Sequence, residues 1–255
     1  MTQPTADPTQ RFSNRVENYV RYRPHYPVGV LALLRENIGL NPRTVIADIG
    51  SGTGISAELF LRNGNLVFAV EPNQEMRAAA ERLLGGFPAF RSVSGTAEAT
   101  TLPDASIDCV VAAQAFHWFD PVKTQAEFRR ILTPDGWVVL LWNSRLKQAT
   151  AFQRAYQRLL ETYAVDYAQV QHERIDAAGL GSFYARGFQQ RTLPNTQTFD
   201  FESLKGRLLS SSYTPTETGE NYAPMIKALQ DIFQEHQQDG HVQFDYETQL
   251  YFGRV

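Results

Sequence analysis

A single cysteine, Cys109, occurs in 255 residues. No disulfide and no cysteine metal cluster can therefore form within one chain. Set inside an apolar run, Cys109 reads as a buried small hydrophobe, and nothing else in the sequence calls for a metal. No apolar run approaches the roughly 18 residues that span a bilayer. The opening residues MTQPTADPTQ are polar and hold no apolar signal-peptide core, which predicts a cytoplasmic protein without a membrane partner. Lysine and arginine form no run, and the formal net charge is −3. That balance argues against a large phosphate-backbone interface, so nucleic acid is demoted as a partner. Internal repeats and low-complexity linkers are absent as well. What the chain does have is apolar content, 43% hydrophobic and 12% aromatic, enough for one sizeable core plus an insertion.

One stretch carries most of the chemistry. Val45 to Ile49 is an uninterrupted apolar run suited to a strand buried on both faces, and it leads into Gly50, Gly52 and Gly54 at alternate positions. Glycines there let the backbone turn sharply and approach a ligand that any Cβ would hold off. From Ile55 the apolar residues recur at helical spacing up to Gly64, so the loop opens a helix whose free N–H groups face the ligand. A dinucleotide loop, G-x-G-x-x-G, needs its third glycine at position 55, where this chain has Ile55. With Asp48 the pattern is instead D-x-G-x-G-x-G.

A second apolar run, Leu66 to Val70, ends in Glu71-Pro72. An acidic side chain at that strand tip can accept hydrogen bonds from both hydroxyls of a ribose, and Pro72 stops the strand. The alternative is a carboxylate capping the helix over 73 to 84. Further on stand a short strand at Phe90 to Ser94, a Gly-Thr-Ala-Glu turn, a strong strand over Ile107 to Ala113 and the element Gln114-Ala115-Phe116-His117-Trp118-Phe119. Arg130 to Gly136 then reads as a helix end and a Pro-Gly turn before a fifth strand, Trp137 to Trp142.

In order and spacing these motifs resemble the class I S-adenosylmethionine-dependent methyltransferases, in particular the methyltransferase type 11 group, over roughly residues 40 to 143. The FHWF element is similar to the branch that includes the trans-aconitate methyltransferases. The resemblance implies S-adenosylmethionine as cofactor. It also implies a Rossmann-like α/β fold with a seven-stranded, mostly parallel sheet, an antiparallel last strand and helices on both faces. By that resemblance Asp48, Gly50, Ser51, Gly52 and Gly54 belong to the cofactor loop, and Glu71 with Pro72 to the ribose end. Thr96 and Ala97 meet the adenine edge, a hydroxyl standing where many relatives have Asp, while Glu98 orders the turn and Gln114 lies at the cofactor. Tyr19 and Arg23, in a Y-x-x-x-R-P-x-Y-P stretch, fold over the cofactor mouth, unless that helix simply packs on the sheet.

Four segments are expected. These are an N-terminal helical cap (1–39), the cofactor-binding core (40–143), a partly helical lid inserted after the fifth strand (144–212), and a C-terminal helix and strand completing the sheet (213–255). Within them, helices are expected over Phe12 to Tyr22, Val28 to Ile38, parts of 144–181, Ser203 to Ser212 and Tyr222 to Gln238. Residues 183–201 read as short extended pieces, and His241 to Val255 as a long edge strand. Lids of this kind carry substrate choice.

Methyl transfer from a sulfonium is an in-line displacement, so alignment and exclusion of water matter most. His117 is the candidate general base, or else it orders its loop. Trp118 and Trp142 are candidate pocket walls, and Asn143 a polar contact. The expected reaction is methylation of a small molecule, with a carboxylate oxygen as one acceptor. The lid's Arg154, Arg158, Arg174, Arg186 and Arg191 are possible partners for that acid. A non-catalytic cofactor-binding sensor and an RNA methyltransferase are the competing classes.

Overall fold

A computed structural model describes residues 16–165, 167 and 177–255. Seven strands form one sheet in the order β3-β2-β1-β4-β5-β7-β6. They are β1 (Ile46–Ile49), β2 (Val67–Val70), β3 (Phe90–Val93), β4 (Ile107–Ala113), β5 (Leu132–Arg145), β6 (Phe188–Phe199) and β7 (Val242–Gly253). The first five run parallel, and β7 is antiparallel to both of its neighbours. The α/β architecture expected from the motifs is present, with two differences in the strands. The last strand is interior, lying between β5 and β6, and within the region 183–201 residues 188–199 form one continuous strand at the edge. Its Pro194 is tolerated because a missing N–H costs nothing on an unpaired side. The alternation along β7 records burial on one face, which an interior strand and an edge strand can share.

Helices cover both faces. On one side α2 (Gly29–Ile38) and α3 (Ile55–Arg62) bury Leu34, Phe60 and Leu61 against Ile46, Val111 and Leu141. On the other, α5 (Pro121–Ile131) and α7 (Ala177–Phe183) bring Phe128, Ile131 and Phe183 onto Ala47, Val110 and Leu140. Successive strand residues point to opposite faces, so the segments Ile46–Ile49, Cys109–Ala112 and Val138–Leu141 are buried on both, and they are apolar except for Asp48. Beside β2, α4 (Gln74–Leu84) starts at Asn73, whose side chain accepts from the Met76 N–H at 2.9 Å. Leu132 pairs with Ile107 but Trp137 with Cys109. The Pro-Gly turn thus forms a bulge inside β5, not a stop before it.

A third core lies where β6 and β7 extend past β5. There α6 (Ala151–Tyr163), α8 (Phe201–Leu209) and α9 (Tyr222–His236) pack Tyr156, Leu208 and Leu229 around Phe244. The first helix, α1 (Val16–Tyr22), leans on α8, where Gly206 has no Cβ because the Tyr22 ring occupies that space. The expected helical residues 12–15 and 172–176 lie outside the described residues.

Candidate functional site

The loop after β1 is shaped by backbone that only glycine adopts cheaply. Gly50, Gly52 and Gly54 have φ of 66°, 56° and 89°. A Cβ on Gly50 would come within 2.7 Å of the Ala115 Cβ, and one on Gly54 would collide with Leu84, whereas one on Gly52 would meet nothing within 4 Å. The outer two glycines are therefore required by packing. Gly52 leaves open the space in front of the loop.

Glu71 ends β2 and spans that loop. One carboxylate oxygen accepts from the Gly52 N–H at 2.9 Å and the other from the Asn73 N–H at 2.9 Å. Burial pushes its carboxyl above the ordinary value, opposed by those two N–H groups and by Arg77. Asp48 sits behind the loop, fully buried. One of its oxygens accepts from the Ser56 hydroxyl at 2.7 Å, which holds the first turn of α3. Its carboxyl is raised to about 7, first by burial and also by the nearby Glu71. The other Asp48 oxygen and the hydroxyls of Ser51 and Thr53 are buried without partners. Polar groups left in this state mark a place where a ligand would complete the bonding.

Three further pieces close the front. Thr96 and Ala99 exchange backbone hydrogen bonds of 3.1 and 3.3 Å in a tight turn, and Glu98 reaches across to accept from the Asp120 N–H at 2.9 Å. Gln114, just past β4, is held at φ 57°, a left-handed conformation costing a non-glycine residue roughly 1–2 kcal/mol, and its amide donates to the Asn143 carbonyl. His117 stands in the short 3₁₀ turn Phe116–Trp118 with its ring 4.7 Å from that of Trp118.

These residues surround one cleft with two compartments. The first, about 430 Å³, is lined by Gly50, Gly52, Glu71, Pro72, Thr96, Ala97, Glu98 and Trp118. The second, about 300 Å³, is lined by Ser51, Thr53, Trp142, Arg145, Arg207 and Tyr246. Gly50 and Gly52 also line the second, and with Tyr19, Arg23, Ala113, Gln114, His117, Asn143 and Tyr213, which line both, they mark the junction. Asp48 and Gly54 face neither. Among the expected pocket residues, Trp118 lies on the Glu71 side and Trp142 on the other. The Asn143 side chain is occupied by the fold, since it donates to the Pro24 and His25 carbonyls and accepts from Thr248 and Asn195.

The second compartment holds arginines that the sequence reading overlooked. Arg145 lies over the rings of Tyr156 and Phe244 and donates one terminal nitrogen to Gln157 at 2.7 Å. Its other terminal nitrogen is buried without a partner, as are the Nε atoms of Arg23 and Arg207. Arg23 also donates to the Ser210 carbonyl at 2.9 Å, and Arg207 to the Ser211 hydroxyl at 3.1 Å. Among the described residues no carboxylate forms an ion pair with any of the three. Two signals were available in the sequence. Arg145 continues the inward alternation Val139, Leu141, Asn143, and Arg207 falls on the stripe of Leu204 and Leu208.

The lid arginines proposed from sequence do not reach this compartment. Arg154 and Arg158 are exposed on α6, Arg186 lines a separate groove beside Trp137, and Arg191 on edge strand β6 bonds Asn37 and Gln189. Long cations on an exposed helix face or edge stay hydrated unless something draws them in. Arg174 lies outside the described residues.

Comparison with known proteins matches the architecture. Residues 47–140 fit the family described as "Methyltransferase domain". An uncharacterized methyltransferase of Mycobacterium tuberculosis is 37% identical over 145 residues, 57% of this chain and 57% of that protein. The malonyl-[acyl-carrier protein] O-methyltransferase of a Marinomonas species is 29% identical over 133 residues, 51% of this chain and 49% of its own length. The chain thus spans little more than half the length of the curated relatives it matches. In structure it resembles a protein assigned as a type II methyltransferase from Anaeromyxobacter dehalogenans, with a TM-score of 0.65 at 21% identity, covering 91% of this chain and 98% of that one. Residues 47–140 thus match a methyltransferase domain, and the sheet around them has the fold of the Anaeromyxobacter protein.

Proposed function

We propose that the protein transfers the methyl group of S-adenosylmethionine to a small acid, with a carboxylate oxygen as the acceptor. The bound cofactor supplies an electrophilic methyl on a positively charged sulfur. In this reading the first compartment holds its adenosine and the junction with the second holds its amino-acid end. Glu71 accepts from the ribose hydroxyls, Thr96 and Ala97 meet the adenine edge, and Ser51, Gly52 and Gln114 receive the amino-acid end beneath Tyr19 and Arg23. The unpartnered Ser51 and Thr53 hydroxyls and the open space over Gly52 fit that assignment.

The observation that carries the acceptor class is the group of Arg23, Arg145 and Arg207 in the adjoining compartment, each with a buried N–H that no described residue pairs. Leaving such groups unmatched costs more than an ordinary missing hydrogen bond, and a carboxylate is the ligand that repays guanidinium geometry best. A carboxylate is already ionised at neutral pH and needs no base, so His117 acts as a wall of the junction. The name of the Marinomonas relative, an O-methyltransferase acting on a malonyl group, agrees with this reading, as does the likeness to the trans-aconitate branch.

Labelled S-adenosylmethionine offered with separate pools of small acids, phenols, amines and RNA tests it. Label in the acid pool alone is expected. Label in another pool would reassign the acceptor, and tight cofactor binding with no transfer would favour a sensor.

A further inference from the structure

The buried stripe of α6, with Phe152, Tyr156, Leu159 and Leu160, is interrupted by two glutamines four residues apart, Gln153 and Gln157. Gln153 donates to the Leu146 and Asp245 carbonyls, which ties the end of β5 to β7. Gln157 bonds side chains instead. Its amide nitrogen donates to the Glu161 carboxylate at 2.8 Å, while its oxygen accepts from Arg145 Nη2 at 2.7 Å and from the Tyr167 hydroxyl at 2.9 Å. The orientation of this amide is forced. An ionised carboxylate only accepts and a guanidinium only donates, so a flipped amide would satisfy neither neighbour. Arg145 and Tyr167 line the second compartment and Gln157 does not, so Gln157 reaches the compartment through them.

We propose that Gln157 is a positioning residue for acid binding: its uncharged oxygen fixes the Arg145 guanidinium and leaves that group's charge to an anion in the second compartment. This rests on reading that compartment as the seat of an acid. A glutamate of the same shape would hold Arg145 as firmly, but it would cancel the charge. The other two arginines are held in the same manner, Arg23 by the Ser210 carbonyl and Arg207 by the Ser210 and Ser211 hydroxyls at 3.5 and 3.1 Å. All of these acceptors are neutral. Glu161, the carboxylate at the far end of the Gln157 bonds, is exposed, where water and salt screen it. A guanidinium already held in place also loses less side-chain freedom when the anion arrives.

The test is calorimetric binding of succinate, or of sulfate, to the complex with S-adenosylhomocysteine. Gln157→Met removes the tether and should raise the anion's Kd by about three- to tenfold. Gln157→Glu keeps the tether but neutralises the cation, and should raise it by more than tenfold, on the order of a lost charge pair. Disturbed packing alone would give the opposite order, because glutamate is the closer isostere of glutamine. For an acid that accepts label, KM should follow the same order while kcat at saturation stays as in the wild type. In an Arg145→Met background, Gln157→Met should add nothing further. Equal Kd in the wild type and Gln157→Glu overturns the proposal, as do increases that add in the double variant or a wild type that binds neither anion. Should circular dichroism show Gln157→Met unfolded, the comparison with Gln157→Glu decides alone. If no acid accepts label but anion binding follows this order, the proposed reaction fails and the positioning role stands.

Discussion

The two compartments of the cleft are built by opposite means. The first rests largely on backbone: a loop shaped by three glycines in left-handed conformations, strand ends, and a carboxylate that bridges two loops. One wall lies between Gly50 and Glu98, and Gln114, His117 and Trp118 past β4 form another. The second is made of side chains. Arg23, Arg145, Arg207, Tyr213 and Tyr246 come from five separate segments and depend on the overhang of β6 and β7 with its own core. A backbone-built seat suits a ligand that does not change. A side-chain seat can be altered one residue at a time while the strands stay in place.

That contrast can be broken from either side. The largest effect is expected for Gly50→Val, which forces a branched side chain onto Ala115 at a positive φ. A cost on the order of 3 kcal/mol or more is expected, seen as loss of S-adenosylhomocysteine binding in calorimetry and a lower Tm. Glu71→Ala should weaken the same ligand by about 2–3 kcal/mol, since both ribose hydroxyls lose their acceptor and Gly52 loses its anchor. Unchanged affinity would show that the first compartment is not the cofactor seat.

Arg145→Met should do the reverse. KM for the acid rises by about ten- to a hundredfold, while S-adenosylhomocysteine affinity stays as in the wild type. Loss of both together would mean that the two compartments are one site. Of a different kind is the pH effect of Asp48. Its native pKa of about 7 lies above the ordinary 3.8, so the folded chain holds this proton longer than the unfolded chain. The contribution to stability is full below pH 3.8 and declines as pH climbs to about 7. Asp48→Asn should flatten the Tm profile across that window in the ligand-free protein. The smallest effect belongs to His117→Ala, which should retain turnover at neutral pH within about threefold if the acceptor arrives ionised. A hundredfold loss would restore the histidine as a general base.

The same contrast explains what the sequence disclosed. From Val45 to Ile55, strand, turn and helix are fixed by neighbours a few residues away, so the glycine spacing and Asp48 are enough to identify the loop. Glu71 was legible because a strand end announces itself through Pro72. The arginine cluster was hidden because its members meet only in space. The lid arginines expected to meet the acid include Arg154 and Arg158, which solvent keeps, but not Arg145 and Arg207. Both occupy inward positions that periodicity would have exposed. The β7 placement was misread for a similar reason, since alternation reports how many faces are buried and says nothing of which strand lies alongside.

That placement bears on how the molecule comes to be made. Because β7 inserts between β5 and β6, the outer edge of β5 has no partner until residues 242–253 have left the ribosome, and β6 has none at all before then. The glycine loop, Glu71 and the Thr96 turn belong to strands that can pair earlier. The arginine compartment must wait for contacts over a hundred residues apart, such as Thr248 with Asn143, and non-local pairings of this kind form slowly. During synthesis the bare edge of β5 is the stretch most open to pairing with another chain.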